Sequence, residues 1–155
     1  AAREQFKETI RPFIVARIAV RHSVFLALEI ENIVKTPAQN LRLEINKAFY
    51  QFAEHQESHN IQTFEAFTKP IPTFSPSQIL RFDLSQGFNL NVEKNGVNLT
   101  PMQFDLTANY SAKFGTYSDV FHIDIAPYFH THTPRNVADR LEEIEKQLKA
   151  IVQKL

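Results

Sequence analysis

Residues 26–45 read LALEIENIVKTPAQNLRLEI, and this stretch decides the fold. Leu26, Leu28 and Ile30 alternate with Ala27 and Glu29; after a loop over 33–40, Leu41, Leu43 and Ile45 alternate with Arg42, Glu44 and Asn46. Successive side chains on a strand point to opposite faces, so a period of two with one aliphatic set describes two strands lying on a core with their polar sides outward. On that polar side Glu29, Glu31 and Glu44 are expected to be solvated.

The same reading extends in both directions. Upstream, residues 12–20 (PFIVARIAV) are apolar at nearly every position, which predicts a strand buried on both faces or shared between layers. Arg21-His22 is the expected turn. Downstream, residues 47–69 lose any clear period and are read as irregular. Pro70, Pro72 and Pro76 exclude a central strand until Ile79, after which Leu80, Phe82 and Leu84 alternate with Arg81 and Asp83. Asn95-Gly96 is a strong hairpin signal joining 88–94 to 97–104. Residues 104–110 and 117–126 alternate again and predict a second hairpin around Gly115. Seven or eight short strands with no helix between them indicate a mainly β, antiparallel sandwich over 11–130 rather than a parallel nucleotide-binding sheet. Residues 1–10 read as a helical stub or linker.

Two segments carry a family likeness. LALEIENIVKTPAQNLRLEI resembles the strand-loop-strand of bacterial immunoglobulin-like domains, in which an alternating strand ends in Asn, here Asn32, before a Pro-Ala loop. KPIPTFSPSQILRFDL resembles the same family's turn into the next strand, with Ser77 where a Gly would follow Pro76. The family's Gly after the strand-ending Asn is replaced by Ile33 or Val34. The likeness covers about a quarter of the chain and implies an immunoglobulin-like fold; such domains commonly serve adhesion, ligand sensing or assembly, often outside a membrane anchor.

The C-terminal segment has a different rhythm. Thr133-Pro134 makes a good cap and first turn, and residues 133–155 contain no later Gly or Pro, which predicts an amphipathic helix. Val137, Leu141, Ile144, Leu148, Ile151 and Leu155 are spaced 4, 3, 4, 3, 4, a heptad seam of fewer than three full heptads. Glu142 with Lys146 and Glu145 with Lys149 are helix-supporting pairs in the favourable orientation. The seam packs on the chain's own sheet, or it mates with a second copy, a protein partner or the N-terminal stub.

Composition bounds the function. Leu, Ile, Val and Phe make up 48 of 155 residues, including 14 Phe and no Trp, so a phenyl-rich core is expected. With no Cys there is no disulfide, thiolate metal site or cysteine nucleophile. Seventeen basic and seventeen acidic residues cancel, and Arg11, Arg17 and Arg21 are the longest basic feature, so nucleic acid is not an expected partner. No run of about 18 to 20 apolar residues is present; any membrane attachment would come through a segment absent from this chain. The chain opens on AAREQFKETIRPF without an initiator Met, which leaves room for an upstream part such as a membrane helix.

Catalytic signatures are missing: no G-x-S-x-G, no H-E-x-x-H, and only three Gly for any phosphate-cradling loop. Histidines hint at clusters, with His122 near Asp124, His130 near His132 and His55 near His59, but the spacing matches no metal signature and solvated imidazoles explain it. No cofactor or metal is expected. Phe49, Phe52, Phe64 and Phe67, with Tyr50 and Phe74, fall in the least regular region; they cover the edge of the core or form an interaction surface or ligand pocket. The sequence therefore predicts a non-enzymatic interaction or assembly module, the soluble part of a membrane-anchored bacterial protein, with the helix and the Phe-rich region as contact surfaces. The alternative is a ligand-sensing sandwich or barrel coupled to an N-terminal segment.

Overall fold

Two long hairpins frame the structure. β1 (Ile14–Arg21) runs antiparallel to β2 (Phe25–Asn32), and β8 (Gln103–Ala112) runs antiparallel to β9 (Gly115–Asp124). Between them come β3 (Ala38–Ile45), a one-turn helix α1 (Glu65–Thr68), β4 (Ile71–Phe74), β5 (Ile79–Gln86) and the two-residue strands β6 (Glu93–Lys94) and β7 (Val97–Asn98); α2 (Val137–Gln153) closes the order. This computed structural model describes residues 11–21, 25–87, 89–128 and 137–154, with 137–140 as helical backbone only. The N-terminal stub, Thr133-Pro134 and Leu155 lie outside the described residues.

The strands form two facing layers, β1-β2-β5 and β4-β3-β8-β9, with β6-β7 as a separate ribbon. The chain crosses between layers from β2 to β3, from β4 to β5 and again before β8. All described pairings are antiparallel and the sheets do not close into a barrel. The decisive stretch is therefore split: its first strand is central in one layer and its second is central in the other.

That arrangement explains the core. Leu26, Leu28 and Ile30 of β2 oppose Leu41, Leu43 and Ile45 of β3 and Phe104, Leu106 and Ala108 of β8, all within one buried cluster. Inward side chains of two packed sheets interdigitate to fill the space between them. Asn32, where the alternating strand ends, is fully buried. Its Nδ2 donates to the carbonyls of Thr36 (2.8 Å) and Phe74 (3.2 Å), and its Oδ1 accepts from the Val34 N–H (3.3 Å). One side chain thereby ties the crossing loop to β4, and its polar atoms are satisfied as burial demands.

The structure sharpens the reading of several elements. β1 is an edge strand, not one buried on both faces: Ile14 and Ile18 are buried while its other residues are half-buried, because an edge strand has a neighbour on one side only. The prolines do keep a central strand out of the stretch before Ile79: Pro72 lies inside β4, a strand at the edge of its sheet, where a missing N–H does no harm. The Asn95-Gly96 turn is made, with φ of 53° and 77°, but pairs only two residues on each side. β3 also begins earlier than its alternation, at Ala38. Asn40 takes a left-handed φ of 51° and interrupts the register with β8, so that Gln39 and Asn40 both face solvent before Leu41 turns inward. Ser77 adopts φ 63° in the turn where a Gly is usual, and its N–H donates to the Asn32 carbonyl at 2.9 Å.

Candidate functional site

α2 has the composition its shape requires: mostly Leu, Glu, Lys, Gln, Arg and Ala, no Gly or Pro, and Glu145 Oε1 bound by Lys149 Nζ at 3.1 Å one turn on. Its seam faces solvent. Leu141 is 61 % exposed, Ile144 50 %, Leu148 57 % and Ile151 58 %, and Val152 beside them is 66 % exposed. The reading in which these four residues pack on the chain's own sheet does not hold, since such packing would bury them as it buries Leu26 or Leu41. The side chains of Val137 and Leu155, the ends of the seam, lie outside the described residues.

The Phe-rich region divides. Phe49 is wholly buried and Phe67 is 8 % exposed; both belong to the core and leave the candidate surface. The Phe49 ring meets Phe104 edge-on at 6.0 Å, and Phe67 and Phe64 pack on Phe82 at 4.9 and 6.3 Å. Phe64 and Phe52 are half-buried. Phe52 sits at φ 58°, ψ 26°, an uncommon backbone for a bulky residue, with its ring against Phe25 at 6.5 Å. The segment is irregular as read: three 3-10 turns and α1 lie across the rim, fixed by Asn60, whose Oδ1 accepts from the N–H groups of Phe49 and Gln62. Its rings plug the side of the sandwich, because a two-layer core needs apolar cover where its sheets stop.

Two charge clusters escaped the sequence reading. On the outer face of β1-β2-β5, Arg17 and Arg81 stand directly across from Glu29 in register, and Arg21 reaches it diagonally. Glu29 is not solvated. Its side chain is 7 % exposed and accepts from Arg17 Nη2 (3.0 Å), Arg81 Nε (3.0 Å) and Arg21 Nη2 (3.3 Å), while Arg17 also reaches Glu31 at 2.7 Å. Burial pushes the Glu29 carboxyl up, but the hydrogen bonds and charges of Arg81 and Arg17 outweigh it and hold it below the ordinary carboxylate value. The signal was present as a basic residue opposite Glu29 on either neighbour, but it becomes visible only once the register is known.

The second cluster ties the start of the described chain to the β9 edge of the other sheet. Arg11 Nη2 donates to both Asp119 carboxylate oxygens and to the Tyr110 hydroxyl, each at 3.2 Å, and its guanidinium lies over the rings of Phe13 and Tyr117. The Tyr110 hydroxyl donates to Asp119 Oδ2 at 2.6 Å. Burial and that bond to Asp119 raise the phenol above its ordinary value.

Two of the described histidines each lie beside one carboxylate, and the His55 ring meets Tyr50 edge-on at 5.0 Å. His122 Nδ1 lies 2.8 Å from Asp105, not Asp124, because register places Asp105 directly across the hairpin; both side chains are well exposed. His59 Nδ1 lies 3.0 Å from Glu54. His130 and His132 are outside the described residues, and among the described residues no three potential ligands gather. Two open clefts, of about 270 and 310 Å³, are lined mainly by polar residues such as Asn40, Arg42 and Ser118 or Lys47, Asn91 and Gln103. Among the described residues no helix is long and apolar enough to cross a membrane.

Taken together, the chain is an antiparallel β-sandwich followed by a helix with an exposed apolar seam. It belongs to the DUF8453 family, a domain of unknown function, whose profile matches residues 1–129; the matched stretch ends before α2. No curated protein and no solved structure matches the chain.

Proposed function

We propose that the chain is a non-enzymatic interaction or assembly module of immunoglobulin-like type, the exposed part of a membrane-anchored bacterial protein, and that α2 is its principal contact surface. The observation that carries this is the exposure of Leu141, Ile144, Leu148 and Ile151 along one stripe. A contiguous apolar patch facing water marks an interaction site far more often than it marks neutral surface. The immunoglobulin-like assignment draws support from the strand order: first, second and fifth in one layer, third and the last two in the other. Here the fourth strand lies beside the third, whereas in antibody constant domains it joins the first layer. The ligand-sensing alternative is less favoured, because Phe49 and Phe67 fill the core instead of lining a cavity.

The test is mass in solution by light scattering, with and without residues 134–155. Among the described residues every buried core residue lies between Ile14 and Ile125, so the shortened chain is expected to keep a cooperative unfolding transition. A complex in the full chain that becomes a monomer on truncation supports the reading; a monomer in both refutes α2 as an assembly surface.

A further inference from the structure

The seam also carries information about what it joins. A spacing of 4, 3, 4, 3, 4 puts Leu141, Leu148 and Leu155 at heptad position a and Val137, Ile144 and Ile151 at position d. Parallel two-stranded coils prefer the reverse, β-branched residues at a and Leu at d, because the two layers present their Cβ atoms to the partner differently; Leu at a with Ile at d favours three or four strands. Val152, at position e beside the seam, is 66 % exposed, and an apolar e position widens the stripe in the way a bundle of more than two helices can bury.

Charge decides direction. Arg140 falls at position g and Glu145 at the e position five residues on, so in a parallel arrangement each Arg140 position adjoins Glu145 of the next helix. In the full-overlap antiparallel arrangement, where Leu141 meets Ile151 and Ile144 meets Leu148, Glu145 would face its own copy and Arg140 would face Lys154. Both of those contacts repel. One orientation is complementary and the other is opposed at two places.

We propose that α2 joins copies of this chain into a parallel bundle of three or four helices. This rests on the reading of α2 as the contact surface and gives it a partner, a number and a direction. In a parallel bundle every sandwich attaches at the same end of the helices. The assembly therefore displays several identical domains toward one side, so that weak single contacts to a repetitive target add as avidity.

Sedimentation equilibrium of the full chain over a micromolar to millimolar series tests the number, expected at three or four times 17.9 kDa. Exchanging the layers (Leu141→Ile, Ile144→Leu, Leu148→Ile, Ile151→Leu) should lower the mass toward two chains while leaving sandwich unfolding unchanged. For direction, Arg140→Glu should weaken association on the order of tenfold, and adding Glu145→Arg should restore it. Strengthening by Arg140→Glu alone would indicate antiparallel pairing and overturn the proposal. A wild-type dimer that needs α2 would also overturn it while leaving the assembly reading in place. A monomer at every concentration would overturn both.

Discussion

Replacing Glu29 with Gln keeps the side chain's shape and removes the charge around which three arginines gather. In the native chain the carboxylate accepts from Arg17, Arg81 and Arg21 at 3.0, 3.0 and 3.3 Å with its own side chain 7 % exposed. A hydrogen bond to a charged group contributes about 1.5–3 kcal/mol where it is desolvated, and an exposed ion pair nearer 0.2–1 kcal/mol. The guanidiniums are 41–48 % exposed, so the lower figures govern, and when released they return to water. Gln retains one acceptor oxygen but turns N–H donors toward guanidinium donors. The expected loss is about 1–2 kcal/mol, a fall in Tm of roughly 2–8 °C for a chain of this length. The pH dependence is the sharper readout. Because the Glu29 carboxyl is held below its ordinary value of 4.5, its contribution is complete above that value and is lost as pH falls through the folded-state pKa. Thermal unfolding followed by circular dichroism should therefore show a constant gap between native and Glu29→Gln chains from neutral pH down to about pH 5, closing in stronger acid. Equal Tm at neutral pH, or a gap that persists unchanged in acid, would refute the reasoning.

Two further substitutions probe the core and the edge clasp. Phe49→Ala removes a wholly buried ring that meets Phe104 and should cost about 3–5 kcal/mol in a denaturant titration, with no change in the mass of whatever assembly remains folded. Tyr110→Phe removes the donor to Asp119 and should cost about 1–2 kcal/mol at neutral pH. The native phenol titrates above its ordinary 10.0, so its contribution is complete below that value and lost as pH rises through the folded-state pKa; the gap between native and Tyr110→Phe chains should close in alkali.

The alternation of residues 26–45 was enough to establish a mainly β chain with one aliphatic face on each of two strands, since period two is a property of the extended backbone and needs no partner to be legible. The heptad spacing of the C-terminal segment was legible for the same reason. What the sequence left open was which surface each face meets. The apolar run 12–20 read as doubly buried or shared between layers, because its composition does not reveal that β1 pairs with one strand only. Whether Phe49 and Phe67 cover the core or form a surface stayed open, because the irregular segment that carries them shows no period: Asn60 holds the Phe49 N–H and Phe52 takes left-handed backbone. Glu29 looked solvated because its three arginines come from positions 17, 21 and 81 and meet only through strand register. Local periodicity, carried by backbone geometry, was thus determined by the sequence alone; burial, charge pairing and the exposure of the α2 seam depend on contacts between distant segments, and those only the tertiary structure decided.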